Sequence, residues 1–498
     1  MDLFNNLIFG FSVALSFQNL FYCFVGVLVG TLIGVLPGIG PLGTIAILLP
    51  ITYSVSPVAA MIMLAGIYYG AQYGGSTTAI LVNLPGETSA VVTCIDGYQM
   101  AQQGRAGPAL AIAAIGSFFA GTVGTLLIAL FGPPLADVAL KFGAPEYFSL
   151  MLMGLVAAAV LAQGDMVKSI AMVVVGLLLG IIGTDVNTGT QRFSFGIFEL
   201  TDGIGFIVVA VGVFAVGEIV SNLGDKEQRR VLSTKVSNLF PSWQDLKQSF
   251  GPIVRGTGIG CFFGVLPGTG PAIASFSSYM LEKKIAADPD RFGKGAIEGV
   301  AGPEAANNAD AQCKFIPMLT LGLPASGVMA LMLGALTIQG IQPGPQVMTQ
   351  RPDLFWGLIA SMWIGNLMLV VLNLPLIGVW VKLLQVPYRL LFPAIMAFSA
   401  IGIFSVNSSS FEIHLTALFG VLGFIWLRLG FPLAPMLLGF VLGPMMEEYL
   451  RRAMLMSGGD ASVFITRPLS AVFILATVLI LVVMIAPAVR KRREAFTD

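Results

Sequence analysis

The chain of 498 residues is 56% hydrophobic and only 10% charged, with a mean hydropathy of +0.88 and 26 basic residues set against 26 acidic ones. Soluble domains carry about 25% charged residues, so this composition excludes a water-soluble globular protein and points to an integral membrane protein. The zero net charge gives no reason for a nucleic-acid partner, and Cys23, Cys94, Cys261 and Cys313, without CxxC spacing or companion histidines, suggest neither a metal site nor a disulfide framework.

No Asp, Glu, Lys or Arg occurs from Leu3 to Gly86, a run several times the ~20 residues that one bilayer crossing needs. The start, MDLFNNLIFGFSVALSF, lacks the basic region and cleavage site of a signal peptide and is expected to stay in the mature chain. Further uncharged runs extend over Gly256 to Leu281, Phe315 to Gln350, Leu354 to Val381, Leu390 to Phe411 and Pro468 to Val489. Such windows predict an all-α polytopic membrane protein with roughly ten to twelve membrane helices. The 59 Gly and 28 Pro fall largely inside the apolar windows, which predicts broken helices and close helix contacts.

Residues 34–41 read GVLPGIGP. Pro37 lacks an amide hydrogen and disfavours helix at the residue before it, while Gly38 and Gly40 permit backbone angles closed to other residues. A helix broken at membrane depth frees amides and carbonyls that lipid cannot satisfy, so the break must lie within protein or line a wet cavity. The apolar stretch after Pro41 can restart a helix whose N-terminal amides favour an anion by roughly 0.3–2 kcal/mol. Downstream, YYGAQYGGSTTAILVN leads into Leu84-Pro85. It reads as a re-entrant hairpin whose Ser76, Thr77, Thr78 and Asn83 offer donors to a carboxylate or oxygens to Na+. The competing reading is that Ser and Thr bond back to their own helix.

A charged linker, residues 224–250, divides the chain into a first membrane repeat, 1–223, and a second repeat with additional helices, 251–489; a basic tail, 490–498, follows. Residues 264–271 read GVLPGTGP, matching the first octapeptide at all positions but Thr269, which stands where the first has Ile39. Pro267, Gly268 and Gly270 repeat Pro37, Gly38 and Gly40, and Pro271 opens the equivalent helix. LTLGLPASGVM (319–329) answers LVNLPGETSAV (81–91), preceded by the polar GPEAANNADAQCKFIPMLT with Asn307, Asn308 and Asp310, and followed by Ser326. Packing kinks are the alternative to a site, but repetition at corresponding places favours a transporter built from two structural repeats. No basic residue precedes the first octapeptide, whereas Lys226, Arg229, Arg230, Lys235, Lys247 and Arg255 precede the second. The positive-inside rule then predicts inverted topology, with linker and C-terminus cytoplasmic.

Charged residues near the motifs are Glu87, Asp96, Glu304, Asp310 and Lys314, costly at depth and so of functional interest. Asp310 and Lys314 also stand at the i,i+4 spacing of an internal salt bridge. The single His414 reads as a packing or interfacial residue.

The paired octapeptides and the two polar blocks, in this order, resemble the large membrane subunit of the bacterial tripartite tricarboxylate transporters. The likeness covers nearly the whole chain; Ala325 stands in the second hairpin where the first has Gly86. The resemblance implies an inner-membrane secondary transporter that works with a small membrane subunit and a periplasmic solute-binding protein. It implies a carboxylate such as citrate as substrate, a cation gradient, usually Na+, as the driving force, and an elevator-like motion of a transport domain against a scaffold. By this resemblance the substrate site comprises Pro37, Gly38, Gly40, Thr77, Asn83, Pro267, Gly268, Gly270, Asn307 and Ser326. Ser76, Thr78, Thr269, Asn308 and Asp310 are candidates for the coupling ion, with no other cofactor.

Charge sets the mechanism. Moving a dianion inward against 100 mV costs roughly 4.6 kcal/mol, and the octapeptide and Leu-Pro motifs hold no Arg or Lys, so at least two co-transported cations per dianion are expected. A membrane enzyme lacks a plausible acid–base set here, and a channel is disfavoured by two unequal repeats without ring symmetry.

Overall fold

A computed structural model describes residues 3–36, 40–162, 165–185, 188–222, 239–383 and 388–485. Pro37 and Gly38, most of the linker and the basic tail lie outside the described residues. In the first half the helices are α1 (Leu3–Ala14), α2 (Phe17–Val35), α3 (Pro41–Thr52), α4 (Pro57–Val82), α5 (Val91–Gln102), α6 (Ala106–Ala139), α7 (Ala144–Leu161), α8 (Met166–Gly180), α9 (Phe206–Ala210) and α10 (Gly217–Asn222). The second half holds α11 (Trp243–Val265), α12 (Pro271–Ile285), α13 (Glu298–Cys313), α14 (Phe315–Leu321), α15 (Gly327–Ile338), α16 (Gln346–Gln350) and α17 (Pro352–Asn373). Six more follow: α18 (Ile377–Leu383), α19 (Tyr388–Asn407), α20 (Ser410–Arg428), α21 (Leu433–Met456), α22 (Val463–Thr466) and α23 (Pro468–Ile485). A two-residue antiparallel ribbon, Gly183–Thr184 with Gln191–Arg192, is the sheet among the described residues. Residues 243–250, placed in the linker by charge, form the start of α11, capped by Ser242 and Asp245 in a capping box.

The chain is a multi-pass, all-α membrane protein. Among the described residues α2, α6, α7, α17 and α20 are long and apolar enough to cross a bilayer, with shorter apolar helices beside them. That is fewer full-length spans than the ten to twelve membrane helices expected, because Pro–Gly breaks divide several apolar windows into shorter helices and the polar residues inside α4 and α13 lower their hydropathy; both of these helices are enclosed by protein. Every residue from Val58 to Val82 and from Gly299 to Cys313 is buried. The surface instead carries apolar stripes, such as Phe17, Phe21 and Phe24 on α2 and Val472, Leu475, Leu479 and Val482 on α23, as lipid exposure demands.

Both octapeptides break their helices at the same place. α2 ends at Val35 with the Leu36 amide on the Ile33 carbonyl (2.9 Å), and α11 ends at Val265 with the Leu266 amide on the Phe263 carbonyl (3.0 Å). Both chains re-enter helix with glycine N-caps, Gly40 and Gly270, and proline at the first turn, where its missing amide costs nothing. The Leu-Pro motifs correspond as well. Asn83 and Gly322 each end a helix in the left-handed conformation, φ 57° and 69°, immediately before Leu84-Pro85 and Leu323-Pro324.

Close backbone approach fixes the central pairs. On α2 a Cβ at Gly26, Gly30 or Gly34 would stand 2.3, 2.5 or 2.3 Å from the carbonyls of Met63, Ile67 and Ala71 on α4. On α11 a Cβ at Gly256, Gly260 or Gly264 would stand 2.2, 2.2 or 2.6 Å from the carbonyls of Gly302, Ala306 and Asp310 on α13. These are small-xxx-small interfaces of the kind that let membrane helices touch along their backbones, and each glycine and carbonyl of one half has its counterpart in the other. The halves also interlock: α3 packs on α15, and α12 packs on the 3-10 turn Thr88–Ala90 and on α5. Each octapeptide's helix thus rests on the other half's Leu-Pro segment, a reciprocal arrangement.

Replacing Gly30 or Gly260 with Leu therefore pries a central pair apart and is expected to lower the stability of the detergent-solubilised protein by about 1–3 kcal/mol or more. Gly258→Leu, on the same helix as Gly260 but with nothing within 4 Å of its Cβ, should melt like wild type. Equal melting of all three variants would show that these contacts do not hold the pairs.

Candidate functional site

The polar blocks sit inside α4 and α13 and not at hairpin tips, which corrects the re-entrant reading of both stretches. Tyr68 to Val82 continues one unbroken helix, and only Asn83 and Ser326 stand at breaks. The hydroxyls first do what a helix interior asks of them. Ser76 donates to the Gln72 carbonyl, Thr77 to Tyr73 and Thr78 to Gly75. Ser326 caps α15 by accepting from the Met329 amide at 3.4 Å, and Thr269 donates to the carbonyls of Phe263 (2.5 Å) and Leu266 (2.8 Å), tying the second break to its own helix.

What brings the halves together is a buried carboxyl chemistry. Glu304, 1% exposed, accepts from Ser76 at 2.6 Å and from Thr93 of α5. Asn308 donates to Ser117 of α6 (2.7 Å) and to the Glu304 carbonyl (3.1 Å). Asn307 reaches across to Glu87 (3.2 Å), which also accepts from Ser89. Asp310 and Lys314, both fully buried, form the i,i+4 ion pair expected as the structural alternative. Among the described residues the second carboxyl oxygen of Asp310, the Asn307 carbonyl oxygen and the Gln72 amide nitrogen have no hydrogen-bond partner. The core between α4, α5 and α13 thus holds three acidic groups, Glu87, Glu304 and Asp310, against one lysine.

Asp96 belongs to a different structure. One carboxyl oxygen accepts from the amides of Gly293, Gly295 and Ala296 (2.9, 2.8 and 2.8 Å), and the other from the Tyr279 hydroxyl (2.9 Å). With all four bonds made, Asp96 fastens the turn before α13 to α5. His414 is exposed on α20, its ring bonded to the Ser410 carbonyl.

At the two octapeptides the surroundings differ. Gly268, at φ +81°, donates to the Ala325 carbonyl at 3.0 Å, and a Cβ there would strike Ala158 of α7 at 2.5 Å. In the first half a Cβ at Gly86 would meet the Gly34 carbonyl at 2.1 Å, so the break that tolerates Ala325 in one repeat requires glycine in the other. Gly270 has open space around it. Gly40 donates to the carboxylate of Glu218 at 3.3 Å, so a protein carboxylate sits on the N-terminus of α3. Sequence reasoning missed Glu218, although it is the single charge between Asp202 and Asp225 and follows a π-helical segment, Val211–Val216, two signals that mark functional positions. It also missed Thr93 and Ser117, whose partners Glu304 and Asn308 lie far away in the chain.

Beside the second Leu-Pro break a cleft of about 550 Å³ opens, lined by Tyr147, Leu321, Gln342, Gln346, Tyr449 and Arg452 among others. Tyr147 and Tyr449 stack at 4.8 Å, and Arg452 lies over the Tyr449 ring while pairing with Glu448 at 2.5 Å.

Residues 20–438 match the model of the tripartite tricarboxylate transporter TctA family. The chain belongs to this family. It is therefore a tripartite tricarboxylate transporter subunit, a transport component and not a member of an enzyme family. It is similar to an uncharacterised 52.8 kDa protein of the TAR-I ttuC′ 3′ region of Agrobacterium vitis, 59% identical over 494 residues, which are 99% of this chain and 98% of that protein. A protein of the TAR-II ttuC′ 3′ region of the same organism is 56% identical over 235 residues, 47% of this chain and 97% of the relative. No solved structure matches.

Removing the Asp96 carboxyl leaves four donors without their acceptor. Asp96→Ala is expected to cost more than about 3 kcal/mol and to lower the melting temperature of the purified protein by several degrees; unchanged melting would show that the turn at 293–296 is held by other means.

Proposed function

We propose that this TctA-family chain imports a di- or tricarboxylate of the citrate type across the bacterial inner membrane by symport with a cation, Na+ before H+. A periplasmic binding protein delivers the cargo and a small membrane subunit completes the complex. The observation that carries the reading is the charge of the core. Two buried carboxyls, Glu304 and Asp310, and the half-buried Glu87 stand against one lysine, so with all three ionised two negative charges must be met by two cations or protons, and a low-dielectric interior strongly penalises leaving them uncompensated. Two cations entering there also balance a dianion moving with them. The tips of α3 and α12 supply the anion-attracting ends. The α3 tip already holds the carboxylate of Glu218, which occupies the place a substrate carboxylate would take, and the open space at Gly270 leaves the α12 tip approachable. Substrate contacts are assigned to Gly40, Gly270, Thr77, Asn83, Asn307 and Ser326 with the remaining octapeptide residues, and ion contacts to Ser76, Thr78, Thr269, Asn308 and Asp310. The duplicated halves act as inverted repeats, one body sliding against the other in an elevator-like cycle, with the C-terminus cytoplasmic.

The test is uptake of labelled citrate or a smaller dicarboxylate into proteoliposomes holding the assembled complex. An inward Na+ gradient should drive accumulation, and omitting the binding protein should slow it strongly. Uptake insensitive to both Na+ and pH gradients would refute cation coupling, and full activity without the binding protein would favour a stand-alone carrier. Gly270→Val separates site from packing, because its side chain meets no neighbour: it should melt like wild type yet lose uptake by about tenfold or more, the order of effect that misplacing a bound group produces. Wild-type uptake in this variant would remove the α12 tip from the substrate path.

A further inference from the structure

Between α4, α6, α13 and the end of α17 lies a cavity of about 20 Å³, room for a single water-sized occupant. Its polar lining is Tyr73, Ser76, Thr77, Ser117, Glu304 and Asn373, and apolar residues of α6 and of the turn into α18 close the rest. All six polar residues are nine-tenths or more buried. The set presents oxygens from one carboxylate, three aliphatic hydroxyls, one phenol and one amide, and no basic side chain. Two of these have nothing to bond to: the Asn373 amide oxygen and the Tyr73 hydroxyl are buried without a hydrogen-bond partner. Asn373 is oriented by its own nitrogen, which donates to the Leu369 carbonyl at 2.9 Å. Ser117 is held by Asn308, and Ser76 by Glu304. Asn373 is also the last residue of α17, whose C-terminal end carries the partial negative charge of the helix dipole.

The geometry points to this cavity as a Na+ site with Glu304 as its charged ligand and Asn373 as the amide ligand that sequence reasoning did not find. This rests on the cation coupling proposed above and gives one of the two ions its place. An all-oxygen set suits a hard cation. A single carboxylate is neutralised by one positive charge, whereas a divalent ion would leave an excess charge buried, and the small volume disfavours K+. The ends of discontinuous helices recur as coupling-ion sites in secondary transporters, and here the C-terminal end of α17 takes that part. The ion would bridge α4 and α13, which come from different halves, to α17, so binding draws three helices together that are otherwise joined there by Ser76–Glu304 and Asn308–Ser117.

The experiment reads binding without transport. The purified full chain in detergent is melted in NaCl and in choline chloride at equal ionic strength, and sodium affinity is titrated from the shift. Wild type should be stabilised saturably by Na+; Glu304→Gln should lose the shift, and Asn373→Ala, which keeps the carboxylate, should weaken sodium affinity by about tenfold or more. If Glu304→Gln fails to fold, Asn373→Ala and Ser117→Ala decide. No sodium-specific shift in wild type means that water or a proton fills the cavity and overturns the inference. A wild-type shift that survives in Asn373→Ala and Ser117→Ala overturns it as well, and Na+-driven uptake in proteoliposomes would then show that the coupling reading stands while this location falls.

Discussion

A helix that carries Glu304, Asn307, Asn308, Asp310 and Gln312 within nine residues and is buried from Gly299 to Cys313 has to find partners for those groups inside a membrane protein. Water is not at hand, and each unmet group costs about 1–3 kcal/mol, charged ones more. The rest of the architecture answers most of that demand, leaving one oxygen each of Asn307, Asp310 and Gln312 without a hydrogen-bond partner among the described residues. α4 brings Ser76, α5 brings Thr93, α6 brings Ser117, and the segment before α5 brings Glu87 to Asn307. Lys314 answers Asp310 from one turn further on. Because these partners come from both halves, neither half satisfies its own polar groups alone, and the core is closed only when the halves are together.

The backbone scaffold beneath this chemistry is duplicated. Glycines on α2 and α11 let carbonyls of α4 and α13 approach at matching positions, Met63, Ile67 and Ala71 in one half and Gly302, Ala306 and Asp310 in the other. The octapeptides are 230 positions apart (residues 34 and 264) and these carbonyls 239 (residues 63 and 302). The nine extra residues therefore fall around α12 and the segment leading to α13, where α12 is longer than α3 and the Asp96 clasp holds the added turn. Length was added where a carboxylate could anchor it, outside the tightly packed pairs.

Much of this frame was legible from sequence because it depends on local backbone chemistry. The octapeptides end and restart helices at Val35, Pro41, Val265 and Pro271, and the Leu-Pro motifs follow left-handed caps, as proline and glycine dictate. The family followed from the same motifs. The hairpin reading failed because GGSTT and AANNA look like loop sequence in water, whereas in a protein-enclosed helix small residues permit close packing and hydroxyls bond to the preceding turn. Glu218, Ser117 and Asn373 escaped notice for another reason. Glu218 and Ser117 bond to partners 178 and 191 residues away, Asn373 stands out only through the cavity it lines, and nothing local distinguishes the three from ordinary helix residues apart from the isolation of Glu218's charge.

Symmetry in the backbone does not extend to the side chains. At the positions of α4 that correspond to Glu304, Asn307, Asn308 and Asp310 stand Ala65, Tyr68, Tyr69 and Ala71; where α4 has Gln72, Ser76 and Thr77, the second half has Ala311, Phe315 and Ile316. At five of these seven positions a polar residue in one half answers an apolar one in the other, and at the remaining two Asn307 and Asn308 answer the phenols of Tyr68 and Tyr69. Two copies that both carried carboxylates would place like charges against each other in a low-dielectric core, and two copies that both lacked them would offer a cation nothing to bind. With Glu304 and Asp310 on α13 and the hydroxyls of Ser76 and Thr93 on α4 and α5, one half supplies carboxyls and the other supplies donors across their interface. The repeated frame sets where the helices break, and the unequal side chains concentrate the buried carboxyls Glu304 and Asp310 along α13, at the surface where the two halves meet.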